Sequence, residues 1–352
     1  MTLDILIPGV TTLFAAVFAA ALYDQWLQRR RTYQLVWAIG MTFFAIASGS
    51  ETVAAASGWT ELLSRVWYLT GAVWTAGWLG LGTAYLLGKT RFGYGFALCL
   101  FLAGLFTFLA ARKLPPAEVG AWPLIYFIAA GVLALAVAVE TYFQNERWPT
   151  LAAVAVGGAT VLSLVLMATV TITAPGYQLD AATGMPVGTP FPADLRLLTP
   201  FMNITGGLAL ILGALFSAYV FMPKRRVLGY SLDPEQPGDN FLFNLVIGII
   251  AIPVNFVASL PGALKALFTG KIHSRVPATL LIALGAFVIT GGDTLARLGD
   301  TTFFQLGKLV GVILLFAGFL VSIEVFREIR VPFTHIVLRG ARQEPVEAGQ
   351  EH

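Results

Sequence analysis

Nine stretches of this chain are each long and apolar enough to cross a lipid bilayer, and this restricts the fold more than any other feature of the sequence. A crossing takes about 20 mostly apolar residues to traverse about 30 Å of hydrocarbon. The runs fall at approximately 5–27, 33–57, 62–88, 93–111, 123–143, 150–173, 198–222, 277–297 and 302–326. Lipid offers no water to free peptide groups, so each run is expected as a helix; all are too long and too uniformly apolar for barrel strands. Composition agrees. Residues are 57% hydrophobic and 12% charged, against about 25% charged in a soluble domain. The expected fold is therefore all-α: a polytopic transmembrane helical bundle of about nine spans.

Basic residues orient it. Arg29, Arg30 and Arg31 follow the first run, Lys89 and Arg91 the third, Arg147 the fifth, and Lys224, Arg225 and Arg226 the seventh. Lys271 and Arg275 precede the eighth run, and Arg327 and Arg330 follow the ninth. With the N-terminus outside and the C-terminus cytoplasmic, sixteen of the 22 Lys and Arg residues are cytoplasmic, as the positive-inside rule requires. The net charge of +3 reflects this loop bias and not a nucleic-acid surface. Asp4 and the lack of a basic n-region mark the first run as a retained helix, not a cleaved leader.

Residues 223–276 begin and end on the cytoplasmic side yet contain the apolar run 241–260. A single crossing there would place Lys271, Arg275, Arg327 and Arg330 outside. Pro253, Asn255, Pro261 and Gly262 interrupt the run, so 241–268 is expected as a re-entrant hairpin or a helix in the inner interface. This divides the chain into a seven-span bundle (1–222), a cytoplasmic loop (223–276), a two-span hairpin (277–330) and a polar tail (331–352).

Ionisable residues inside spans are costly and usually face the bundle interior. Toward the outer surface lie Glu51, Arg65, Asp293, Arg297 and Lys308; toward the inner surface lie Asp24 and Glu140. On a regular helix Trp67, Trp74, Trp78 and Tyr85 share one side, a lipid-facing stripe or packing ridge, which turns Arg65 and Tyr68 inward. Glu51 ends the second run and Arg65 begins the third at similar depth, so a short turn is expected to pair them. The arrangement recurs: Ser48-Gly49-Ser50-Glu51-Thr52 precedes Arg65, and Thr290-Gly291-Gly292-Asp293-Thr294 precedes Lys308. Two such acid–base hairpins would form a parallel repeat, as in many transporters. They would flank an outward polar pocket to which Asn203 adds an amide, roofed by the loop 174–197. Gly307 and Gly311 carry small-xxx-small spacing for a helix contact.

Other chemistry is excluded. His273, His335 and His352 all fall in cytoplasmic segments, so bis-His haem, HExxH zinc and intramembrane Ser–His chemistry lack an essential group. Asp24 and Asp293 sit at opposite faces and cannot form a carboxylate dyad. Cys99, the single cysteine, lies mid-span, which leaves no disulfide framework. No cofactor or enzymatic activity is expected. The expected function is binding, with transport, of a small solute through the outward pocket. The alternatives are an accessory subunit of a larger membrane complex and a ligand sensor acting on a separate cytoplasmic protein. Expected partners are membrane lipid, a small-molecule ligand and other membrane subunits, with no nucleic acid; the expected location is the inner (cytoplasmic) membrane.

Overall fold

The computed structural model describes residues 3–181, 184–230, 241–269, 271–297, 301–322, 329–334 and 336–339. In chain order the helices are α1 (Leu3–Arg29), α2 (Thr32–Ser57), α3 (Glu61–Trp67), a π-helical segment (Tyr68–Trp74) and α4 (Thr75–Leu86). There follow α5 (Gly93–Ala110), a short α6 (Pro116–Val119), α7 (Trp122–Tyr142), α8 (Trp148–Thr169) and α9 (Ala193–Phe221). Last come α10 (Phe241–Phe268), α11 (Arg275–Arg297) and α12 (Thr301–Val321), then a two-stranded antiparallel hairpin, β1 (Ile329–Arg330) with β2 (Val337–Arg339).

Local chemistry sets the boundaries. Gly58, at φ 86°, ends α2, a left-handed position that suits a residue without Cβ. Thr60 Oγ1 then accepts from the Leu63 amide and Glu61 occupies the first turn of α3, the expected N-terminal cap. Pro123 and Pro149 stand in the first turns of α7 and α8, where a missing N–H costs nothing.

Among the described residues nine helices are long and apolar enough to cross a membrane. They are not the nine of the sequence. Val246–Phe268 within α10 qualifies, whereas the third run does not appear because the π segment divides it into α3 and α4. Residues 61–86 still run as one helical column.

That column and α9 form the centre of the bundle. On one side α5, α7 and α8 pack around Phe96, Leu100, Trp148 and Met202. On the other, α1, α2, α11 and α12 share a core in which Phe18 stacks on Phe316 at 4.8 Å and Trp37 meets Phe319 edge-on at 4.6 Å. Trp37 also donates to the Leu79 carbonyl at 2.9 Å, tying α2 to α4. Between α4 and α9 the backbones touch: a Cβ on Gly206 would lie 1.9 Å from the Ala76 carbonyl oxygen. The expected small-residue contact is present between α11 and α12, where a Cβ on Gly311 would lie 2.8 Å from the Gly285 carbonyl oxygen.

The segment 241–268 is one continuous helix with Pro253 and Pro261 inside it. This corrects the re-entrant alternative, since the chain does not reverse. Its polar residues have a different task. Asn255 Oδ1 accepts from the amides of Val227 and Leu228, Asn255 Nδ2 donates to the Leu228 carbonyl, and Ser259 Oγ accepts from the Arg225 amide. The linker leaving α9 is thus hydrogen-bonded to the middle of α10, satisfying peptide groups that would otherwise be stranded.

Candidate functional site: a charged cluster inside the bundle

The bundle has two ends: one carries the 58–60 turn and the loop before α9, the other the Arg29–Arg31 turn. About two helical turns in from the first, Glu51 on α2 is 4% exposed and Lys308 on α12 is 7% exposed. The two form an ion pair through Lys308 Nζ and Glu51 Oε2. Gln305 Nε2 donates to the same oxygen at 3.2 Å, while Trp67 Nε1 donates to Glu51 Oε1 at 2.7 Å. The ammonium of Lys308 also stands 4.1 Å from the centroid of the Phe304 ring, a cation–π contact strengthened by desolvation. Gln305 turns its amide nitrogen to the carboxylate, which leaves its Oε1 buried without a partner.

The expected Glu51–Arg65 pair is therefore not formed. Arg65 bonds Glu61 one turn earlier on its own helix, Nη2 to Oε1 at 2.7 Å and Nε to Oε1 at 2.9 Å. Its remaining reach goes to the end of α8, where Nη1 donates to the Met167 carbonyl at 2.7 Å and Nη2 to the Val170 carbonyl at 3.0 Å. The physical reason is local competition. A Glu at i and an Arg at i+4 meet on the helix surface, and helix-end carbonyls welcome a cation.

The contact that forms joins the acid of the first hairpin to the base of the second. Glu51 and Lys308 are 257 residues apart in the chain. The side chains of Asp293 and Arg297 lie outside the described residues, although both positions are in α11.

Tyr68 and Asn203 are buried or half-buried where an inward-facing group was expected, and both bind protein. The Tyr68 hydroxyl hydrogen-bonds Thr199 Oγ1 at 2.9 Å, and its ring lies 4.5 Å from that of Phe191 in the loop before α9. Asn203 Nδ2 donates to the Ala72 carbonyl at 3.0 Å. Ala72 belongs to the π segment, whose i→i+5 pattern displaces carbonyls from their ordinary partners; Asn203 supplies one. Thr75 donates twice to the Thr70 carbonyl, through its amide and through Oγ1 at 2.7 Å.

The tryptophan stripe is a packing ridge. Trp74 donates to Ser163 Oγ at 2.8 Å and Trp78 to Thr160 Oγ1 at 3.1 Å, both on α8, while Phe43 of α2 lies 4.9 Å from the Trp74 ring. Sequence reasoning missed Trp67 and Gln305 as members of the cluster. The signal for Gln305 was its place three residues before Lys308, on the same helical face.

Inward of the ion pair lies a cavity of about 80 Å³. Its wall is apolar apart from Thr75 and Thr290, and it draws on α2, α4, α9, α11 and α12 through residues such as Phe44, Gly207 and Val312. Phe44 is seven residues from Glu51 and Val312 four from Lys308, so the space begins about 6–10 Å beneath the pair along the helix axes. Comparison of the chain with known protein families, with curated proteins and with solved structures gives no match.

Proposed function

We propose that this multi-pass membrane protein binds a small solute within the bundle and moves it across the membrane, with Glu51–Lys308 as the closure on one side. The observation that carries the reading is the placing of an ion pair, contributed by helices far apart in sequence, one to two helical turns from a cavity bounded by those same helices. Ionisable groups inside membrane helices mark functional sites more often than not. The unpartnered Gln305 Oε1 supplies an acceptor for a solute donor or a water as the pair parts. A drug-sized site needs about 300 Å³ or more, so the cavity must widen on opening. The π segment beside it, a helix form concentrated at functional sites, is the element suited to yield. No catalytic step is assigned to the chain.

In this reading the N-terminus is outside, the membrane is the inner (cytoplasmic) one, and α10 lies in the inner interface. Support for the last comes from the linker. If α10 stood upright, its midpoint at Asn255 would hold the linker backbone, with Arg225 and Arg226, at the bilayer centre, where each charge costs about 2.5 kcal/mol or more. Lying flat, α10 leaves them at the headgroups.

A second reading, a non-transporting accessory subunit, is favoured by a separate observation. Arg65, Tyr68 and Asn203 each satisfy groups of neighbouring helices, the work of structural pins. A labelling experiment separates the two. Gly207 lines the cavity, and a Cβ there meets nothing within 4 Å. In a Cys99→Ala background, Gly207→Cys should react at least about tenfold faster with a membrane-impermeant maleimide when Glu51→Gln and Lys308→Met are added. Equal rates would remove the gate and leave the accessory role.

A further inference from the structure

Away from the charged cluster, α1 and α2 line a groove of about 560 Å³ on the outside of the bundle. It runs from Tyr23 and Leu35 to Ile46, floored by small side chains such as Ala20 and Ala45, with Phe333 of the β1–β2 turn at its mouth. Tyr23 is 40%, Ile46 41% and Phe333 61% exposed, so the groove opens to the surroundings of the helices. From Leu35 to Ile46 it extends about 16 Å at 1.5 Å per residue. That is close to half of the roughly 30 Å hydrocarbon core, the depth of one leaflet.

The mouth is chemically different from the floor. Tyr23 lies 5.3 Å from the Trp26 ring and 6.3 Å from the Phe333 ring, an aromatic group of the kind found at headgroup level. Beyond it the chain turns through Arg29, Arg30 and Arg31. Arg30, at φ 52°, stacks its guanidinium 4.7 Å from the Trp26 centroid, and Arg30 and Arg31 are exposed. Arg29 is six residues, about 9 Å, along the axis from Tyr23. The nearest carboxylate of α1, Asp24, is buried in the bundle: it is 2% exposed, accepts from Gln28 at 2.7 Å and holds the Phe333 amide at 3.2 Å. That last bond fixes Phe333 at the mouth.

We infer that the α1–α2 groove is a binding site for an anionic phospholipid, one acyl chain lying along the alanine floor and the phosphate held by Arg30 and Arg31. The occupant follows from charge and length together. An apolar slot one leaflet deep fits a lipid chain, and arginines at its polar end favour an anionic headgroup. A second copy of the chain would have to bring an apolar helix and a matching acid to the same place.

The test uses the full-length protein in neutral detergent, with native mass spectrometry of retained dioleoyl phosphatidylglycerol. One such lipid should stay bound where dioleoyl phosphatidylcholine and glycerol 3-phosphate do not. Arg30→Gln with Arg31→Gln should weaken retention about 25-fold, at about fivefold for each surface charge. The Lys pair at the same positions should restore most of it. Ala20→Phe should abolish retention by filling the floor; if that variant does not fold, the two surface arginines, which support no core packing, decide the matter. Equal retention of phosphatidylcholine, undiminished binding by the Gln pair, or a dimer that excludes lipid would each overturn the site.

Discussion

At the scale of single residues, the charged cluster is an asymmetric device. Glu51 and Lys308 satisfy each other in a place where neither is hydrated. Losing Lys308 leaves the buried Glu51 carboxylate without this counter-charge, at a cost of about 3–5 kcal/mol, whereas replacing both by apolar or neutral groups of similar shape is close to neutral. Lys308→Met should therefore lower the melting temperature in detergent clearly, and adding Glu51→Gln to it should recover most of the loss. A Lys308→Met variant that melts with the wild type would show that the pair contributes nothing to stability. Arg65 should behave differently. Partly exposed, with its side chain at 18%, it caps α8 and does not balance a buried acid. This division was partly legible in the sequence. Glu61 and Arg65 stand four apart, the spacing of neighbours on a helix, and that local pairing outcompetes the one across the turn. The partner of Glu51 was not legible, because only the packing of α12 beside α2 decides which cation arrives.

At the scale of elements, the π segment explains where helical phase succeeds and where it fails. Counting 100° per residue places Tyr68 inward, and it is buried. Across seven residues of wider helix that count drifts, and Trp67, Trp74 and Trp78 are directed to Glu51, Ser163 and Thr160 in turn. The displaced carbonyls make the segment dependent on its neighbours. Asn203→Ala removes the side-chain donor to the Ala72 carbonyl and should cost about 0.5–1.5 kcal/mol in thermal melting. Asn203→Asp, which presents oxygen to oxygen, should cost more than the alanine. A Asn203→Ala variant as stable as the wild type would mean that the π segment supplies its own hydrogen bonds. The existence of the helices themselves was legible throughout, because lipid leaves a spanning chain no other way to satisfy its backbone. The interruption at 68–74 was not, since YLTGAVW carries no proline and reads as ordinary helix.

At the scale of the molecule, the arrangement places residues 184–192 and residues 222–230 at opposite ends of α9. Cysteines at Pro186 and at Pro237, the latter outside the described residues, should label from opposite sides of the membrane in intact cells and inverted vesicles. Labelling of both from one side would overturn the orientation. The same architecture sets a schedule for assembly. Trp67 follows Glu51 by sixteen residues and is made almost at once, but Lys308 follows by 257. At about 5–20 residues per second, the ribosome needs roughly 13–51 s to deliver it. Throughout that interval the carboxylate waits among inserted helices with an indole for company and no counter-charge. Completion of the last hairpin is then the event that locks the first one, because only then does the carboxylate made first meet the ammonium made last.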